Sequence, residues 1–452
     1  MLRRGFCLGI SLCLVALVAP GWLRAEEKVA ATKTKAATKT DSAFGNFLVS
    51  LFSEGTKDES TQTTKAKADT SHEEKKAISV KGKYGGVQTI SLNPVGENVV
   101  ALVGPGRYDN ANKKSAKSEV FVYSPTGEKV TSWEVNFIGS AINCAPTGEV
   151  YVAGSGKIAK FDAKGKLLGE VEIPHIAEVV KDKEKLKKKA NERRDQMIAT
   201  YKQQVEVFKK QAKASKDPDK GTKNTYTDES GKKVEYSTPS PNQMLKIYED
   251  QLKQMEKRSV AEYESEILGQ IRGVNSIAVS SKDIFVTTGE ATGYGYSVWR
   301  TDLAFNNPKN ILSGLRGCCG QMDVQCCDDC LVIAQNCDHA VGKYDRDGKK
   351  IAKFGKRARS AEPDCFGGCC NPMNTRPTSA GEVYTAESEG YIKRFDSKGE
   401  FAGNIAIAKL SGGCKNVALA VSKNGDNVYF CDLPGSRILI LSRKKTEVAG
   451  VR

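Results

Sequence analysis

The feature that most constrains the fold is a strand–turn–strand unit that recurs along the chain. It reads Gly148-Glu149-Val150-Tyr151-Val152-Ala153, followed by Lys157-Ile158-Ala159-Lys160-Phe161-Asp162-Ala163-Lys164-Gly165-Lys166. It returns as Gly381-Glu382-Val383-Tyr384-Thr385-Ala386, followed by Tyr391-Ile392-Lys393-Arg394-Phe395-Asp396-Ser397-Lys398-Gly399-Glu400. The aromatic-Asp-x-x-Gly turn occurs again at Tyr344-Asp345-Arg346-Asp347-Gly348, and a looser copy at Tyr123-Ser124-Pro125-Thr126-Gly127. Glycine supplies positive φ in such turns, and Asp or Ser bonds the turn backbone. The alternation of apolar and polar residues on either side fits half-buried strands. Several short strands at a period of about 40 to 50 residues predict propeller blades. Six blade starts can be placed, near Val87, Ser140, Val274, Gly320, Pro372 and Asn416. The first and third are less regular, which leaves five or seven open. The expected fold is all-β, a six-bladed β-propeller with an inserted α-helical hairpin.

On this turn pattern and strand spacing, residues 84–175 and 272–448 resemble the NHL-repeat family of six-bladed β-propellers. They are similar also to the calcium-dependent phosphotriesterase-like propellers and to secreted NHL-type proteins of environmental bacteria. The resemblance implies the fold. It also implies an acidic rim able to hold calcium at the channel mouth, where Asp338, Glu387 and Asp432 fall. The inner-strand ligands of those hydrolases find no match in this sequence, so their activity does not carry over.

The rest of the chain divides by composition. Residues 1–25 read as a signal peptide, with Arg3 and Arg4 before an apolar run from Phe6 to Val18 and a cleavage position after Ala25. That predicts an exported protein, periplasmic or extracellular in a bacterium. Arg3-Arg4-Gly5-Phe6 leaves the twin-arginine and general routes both open. No later stretch is apolar enough to span a membrane. Residues 26–83 are rich in Lys, Thr and Ala and predict a disordered linker, interrupted by an apolar island from Phe44 to Phe52. Residues 84–175 are assigned to blades 1 and 2, 176–271 to the helical hairpin and 272–452 to blades 3 to 6. In the insert, Leu186, Ala190, Met197, Tyr201, Val205 and Phe208 fall at helical spacing, as do Leu245, Tyr248, Leu252, Met255, Tyr263 and Ile267. Ser240-Pro241-Asn242-Gln243 is a helix-start signal, and 216–239 read as a polar loop. The hairpin is expected to be separable at Pro174 and Gly273, as a solvated spacer or a partner-binding arm.

Twelve of the fourteen cysteines lie beyond residue 25, and eleven of those follow residue 317. Three segments repeat a context: Gly317-Cys318-Cys319-Gly320-Gln321-Met322-Asp323, Gly368-Cys369-Cys370-Asn371-Pro372-Met373-Asn374 and Gly412-Gly413-Cys414-Lys415-Asn416. Each precedes the innermost strand of a blade. That places Cys318, Cys319, Cys369, Cys370 and Cys414, with Cys365, on the propeller face shared by the loops between second and third strands. Those loops carry Cys337 and His339, Glu387, and Cys431 with Asp432. Cys327-Asp328-Asp329-Cys330 falls on the opposite face.

Three chemistries fit this clustering. Thiolates could hold an iron–sulfur cluster or a thiophilic metal, with Cys319, Cys370, Cys414, Cys318, Cys369 and Cys365 as cofactor ligands and Cys337, His339, Cys431 and Asp432 as metal ligands. The cysteines could instead be disulfides with no cofactor, as export and an even count favour. A thiol pair could also be redox-active beside an organic cofactor. The net charge of +15 is spread among interspersed acids, with no basic stripe and interleaved aromatics, which argues against nucleic acid. Neither a nucleophile motif nor a phosphate loop is present, and the enzyme question stays open, leaning to no. A protein partner, met by the hairpin or the propeller face, is expected; the oligomeric state is unspecified.

Overall fold

A computed structural model describes residues 69–106, 117–227, 233–290, 295–318, 321–327, 329–357, 363–368, 370–411 and 417–445. The signal segment and the island at 44–52 lie outside them, as do Cys319, Cys369 and Cys414.

The fold is a β-propeller, and the described strands form six main antiparallel sheets. Blade 1 runs Gly85–Leu92, Val99–Gly104, Ser118–Tyr123 and Lys129–Val135, with Lys81–Gly82 added beside the first strand. Blade 2 is Ala141–Cys144, Val150–Gly154, Lys157–Phe161 and Leu167–Glu172. Blade 3 is Val274–Val279, Asp283–Gly289, Tyr296–Asp302 and Lys309–Leu315. Blade 4 is Val324–Cys327, Cys330–Gln335, Ala340–Asp345 and Lys350–Phe354. Blade 5 is Asn374–Pro377, Val383–Ala386, Tyr391–Phe395 and Phe401–Ile407. Blade 6 is Val417–Val421, Asn427–Asp432 and Arg437–Arg443. The first strand of each blade touches the first strand of the next, and that of blade 6 touches that of blade 1, so the ring closes.

The repeat seen in the sequence has a physical origin. Asp162 Oδ1 accepts the N–H groups of Lys164 and Lys166, both at 2.9 Å, and Gly165 sits at φ 92°. Asp345 and Asp396 make the same paired bonds, with Gly348 at φ 88° and Gly399 at φ 86°. Blade 3 builds the turn on Asp302, with Phe305 at φ 64° in the glycine position. The missing glycine is why that copy was illegible. In the second strands, Tyr151, Tyr384 and Tyr429 are fully buried, which explains the recurrent Val-Tyr pair.

Two segments depart from the sequence expectation. His72–Ser79 is not a linker. It is the outermost strand of blade 6, paired antiparallel with Arg437–Arg443 from His72↔Arg443 to Ser79↔Arg437. The N-terminal segment thereby completes the C-terminal blade. Its Lys- and Glu-rich composition conceals this, because only His72 and Ile78 turn inward. Within the polar stretch 216–239, Thr222–Thr227 and Lys233–Thr238 pair as a two-stranded ribbon.

The insert comprises helices α1 (Pro174–Lys181), α2 (Lys183–Ala214), α3 (Pro241–Lys257) and α4 (Val260–Arg272). Ser240 and Gln243 form the reciprocal cap read from the sequence, with Gln243 N–H donating to Ser240 Oγ and Ser240 N–H to Gln243 Oε1. Ser259 and Glu262 repeat it at α4. Among the described residues, no helix is long and apolar enough to cross a membrane.

The chain forms two compact units, and the division does not fall at the ends of the insert. The described part of the smaller unit is residues 198–227 and 233–256, in which Tyr248 stacks on Phe208 at 4.8 Å. The larger unit holds the propeller, α1, the first part of α2 and α4. There Leu186, Ala190, Tyr263, Ile267 and Ile271 join Tyr151, Ile158, Ile173 and Ile277 in one buried cluster. The base of the insert is therefore part of the core of blades 2 and 3, and Pro174 and Gly273 are poor points at which to cut. Excising 198–256 and joining Met197 to Lys257 by a short linker should retain a single cooperative unfolding transition. Ile267→Ala should cost about 2–5 kcal/mol in urea unfolding.

His175 Nε2 bonds the Ile271 carbonyl at 3.2 Å, and its ring stacks on Trp299 at 4.9 Å. Burial lowers its pKa from 6.5 to about 4. The native ring is neutral while the unfolded one protonates below 6.5, so its contribution is full above pH 6.5 and is lost as pH falls towards 4. The loss amounts to about 3 kcal/mol. His175→Phe should flatten that part of the stability–pH curve, measured by urea unfolding from pH 7 to 4.

Candidate functional site

The inner strands face the propeller axis with one edge unpaired by any sheet partner, and side chains from the preceding blade fill that need. Asn143 Oδ1 accepts Val279 N–H at 3.2 Å, joining blade 2 to blade 3. Ser276 Oγ accepts Val324 N–H at 2.8 Å, joining 3 to 4. Asp323 Oδ2 accepts Thr375 N–H at 2.9 Å, joining 4 to 5. Asn374 Oδ1 accepts Leu419 N–H at 2.9 Å, joining 5 to 6.

A second set of bonds crosses between blades. Arg376 Nη1 lies 3.0 Å from Asp323 Oδ2, and its Nη2 donates to the Ile90 carbonyl of blade 1 at 3.2 Å. Asp323 Oδ1 accepts Gln325 Nε2 at 3.0 Å, and Gln325 Oε1 accepts Asn143 Nδ2 of blade 2 at 3.0 Å. Blades 2, 4, 5 and 1 are thus linked through one buried polar chain. Burial pushes the Asp323 carboxyl upward against the pull of Arg376, and the same burial lowers the Arg376 pKa.

The face predicted to carry chemistry can be followed residue by residue. Cys318 and Cys337 are thiols near one another, and the neighbouring Cys318 thiol, followed by burial, raises the Cys337 pKa. Asn336 fastens the pair: its Oδ1 accepts Cys318 N–H at 2.8 Å, and its Nδ2 donates to the Cys318 and Gln321 carbonyls at 3.3 and 3.0 Å. Cys370 packs in a core cluster with Met373, Tyr384 and Phe430, against which Cys318 also rests. Cys365 is buried in the loop entering blade 5, where its carbonyl accepts from Lys393 Nζ. His339 is buried with φ 50°.

Cys431 and Asp432 do not join this group. Cys431 belongs to a different cluster, with Ile78, Val80 and Val87, and burial raises its thiol pKa. Asp432 is buried, pairs with Arg437 at 2.9 Å and accepts Ser411 Oγ at 3.0 Å. Alternation along one strand sends neighbouring side chains to opposite faces of the sheet. Among the described residues, no three of His, Cys, Asp and Glu gather as a ligand set for a metal ion. Cys327 and Cys330 form a disulfide across the tight turn between the first two strands of blade 4.

The other acids of this face have partners. Glu387 pairs with Lys393 at 2.6 Å, both buried, and burial raises its carboxyl pKa. Asp338 lies 3.0 Å from Lys353 and 3.7 Å from Arg316. A separate cleft of about 780 Å³ lies between the helices at the insert's base and blade 3, with Trp299 in its wall. Its four lysines are matched by four carboxylates, which gives it no net sign.

Sequence reasoning missed the Asp323–Arg376 tie, although a signal was present. The two Gly-Cys-Cys segments end in Met322-Asp323 and Met373-Asn374, and those last residues make the blade-to-blade bonds.

No protein-family model matches the chain, and no curated protein matches it. Among solved structures, a gluconolactonase from Xanthomonas campestris aligns with 81% of this chain and 89% of its own, at 10% identity and TM-score 0.40. The Swd1 (Cps50) β-propeller domain of Myceliophteria thermophila aligns with 82% of this chain and 100% of its own, at 10% identity and TM-score 0.40.

Arg376→Met would leave the Asp323 carboxylate buried without its cation and should cost about 3–5 kcal/mol in urea unfolding. Adding Asp323→Asn should recover part of the loss, since the amide oxygen can still accept Thr375 N–H.

Proposed function

We propose that this protein is an exported binding propeller, a non-catalytic interaction platform whose working surface is the loop face of blades 4 to 6. The observation that supports this most directly is the buried polar chain from Asn143 to Arg376. The groups nearest the axis bond one another, so binding falls to the loops around them. The acids of those loops are neutralised by cations of the same blade, as Glu387 is by Lys393. That leaves a surface built for contact rather than for proton transfer. On this reading the cysteines brace the loops, and the signal segment delivers the platform to an oxidising compartment.

The test is photocrosslinking in the native cell envelope. A crosslinking residue at Arg316 or Lys409, on the loop face, should capture a discrete partner. The same residue at Lys164 or Lys398, in turns of the opposite face, should not. Capture confined to the opposite face would overturn the proposal, as would turnover of lactones or phosphotriesters by the purified protein. A stoichiometric iron–sulfur cluster or thiophilic metal would replace the bracing role of the cysteines with a cofactor site.

A further inference from the structure

We infer that Cys318 and Cys337 form a disulfide, a staple tying the loop that enters blade 4 to the loop between that blade's second and third strands.

Three observations converge on this pair. The two thiols lie close enough that Cys318 is the first influence on Cys337. Their backbones are held in place by Asn336, whose side chain grips both the N–H and the carbonyl of Cys318 at 2.8 and 3.3 Å while it precedes Cys337 in the chain. Both residues are partly exposed, as is Cys326 on the first strand of blade 4, whereas Cys144, Cys365, Cys370 and Cys431 are buried. A pair that is pre-positioned and reachable by a reagent is what thiol–disulfide exchange requires. Blade 4 already carries the Cys327–Cys330 link at its other end, so the new bond would brace the blade at both ends.

The reaction is an exchange with a donor disulfide. One thiolate of the pair attacks a donor sulfur, forming a mixed disulfide and releasing the first donor thiolate. The second thiolate attacks the protein sulfur of that mixed disulfide, forming the Cys318–Cys337 bond and expelling the second donor thiolate. The protein loses two protons and two electrons, and the donor leaves as two thiols. Arg316 and Asp338 are the charged groups acting on Cys337 and act in opposite directions on its ionisation. The pairing stands on this geometry whether or not the loop face binds a partner, so its failure and that of the platform reading are read out separately.

The test uses the full chain purified without reductant and blocked with maleimide in denaturant. Trypsin leaves residues 317–343 as one peptide, because no Lys or Arg interrupts it, and an Asp-specific protease then divides it. Peptide 317–322 should be found linked to 329–337, which also carries 323–327 through Cys327–Cys330. Fragmentation should place the bond on Cys318, and Cys319→Ala should keep the link while Cys337→Ala loses it. If the protein is isolated reduced, oxidised glutathione should form the bond and cut maleimide labelling of Cys337 by about tenfold. Full labelling of Cys337 after that treatment overturns the inference. So does a link from Cys318 to any other cysteine, or retention of zinc or copper that depends on both thiols. Mapping of the unaltered chain needs no variant to fold.

Discussion

The ring depends on how the inner edge of each blade is satisfied. A strand of four to eight residues pairs outward with its neighbour and leaves N–H groups facing the axis. Unpaired buried backbone donors are costly, and an exposed edge invites wrong pairing. This chain meets the need with Asn143, Ser276, Asp323 and Asn374, each serving the following blade. On the inner strand of blade 1, Val87 N–H is accepted by Ser436 of blade 6, and at the entry to blade 2 Gly139 N–H is accepted by Ser118 of blade 1. Short polar side chains at the axis thus do between blades what strand ladders do within them.

This changes the meaning of the repeated Gly-Cys-Cys segments. Their recurrence is partly a requirement of the ring, since Asp323 and Asn374 must sit one step before or at the start of an inner strand to reach the next blade. The thiols share that framework by position, and their environments then diverge. Cys370, the second cysteine of its segment, sinks into a core cluster with Met373, while Cys318, the first of its own, stays near the surface beside Cys337.

What was legible in the sequence was local. The Asp–Gly turns, the Ser240–Gln243 cap and the position of Cys327 and Cys330 at a first-to-second-strand turn depend on a few adjacent residues. What was hidden depends on partners far along the chain. His72–Ser79 reads as a charged linker because five of its eight residues stay exposed in succession, and its partner strand lies about 360 residues away. Nothing local in the sequence singles out Arg376, because its partners, Asp323 and the Ile90 carbonyl, are brought to it only by ring closure. The insert shows the same limit. Helical spacing located its helices, but could not reveal that Tyr263 and Ile267 complete the core of two blades.

The acids around the channel mouth carry this argument to its chemistry. Asp338 and Glu387 stand just after the second strands of blades 4 and 5 and Asp432 ends that of blade 6, a placement that an acidic cation site would use. In each case the blade supplies its own cation, Lys353, Lys393 or Arg437, from its third or fourth strand or its third strand's start. A buried carboxylate without a partner is expensive, and an internal ammonium or guanidinium removes the cost permanently. A divalent ion entering beside Glu387 would meet Lys393 at 2.6 Å and would have to leave that ammonium buried and unpaired. The charges of these loops are therefore spent on holding the loops still, the property that the proposed binding face would use.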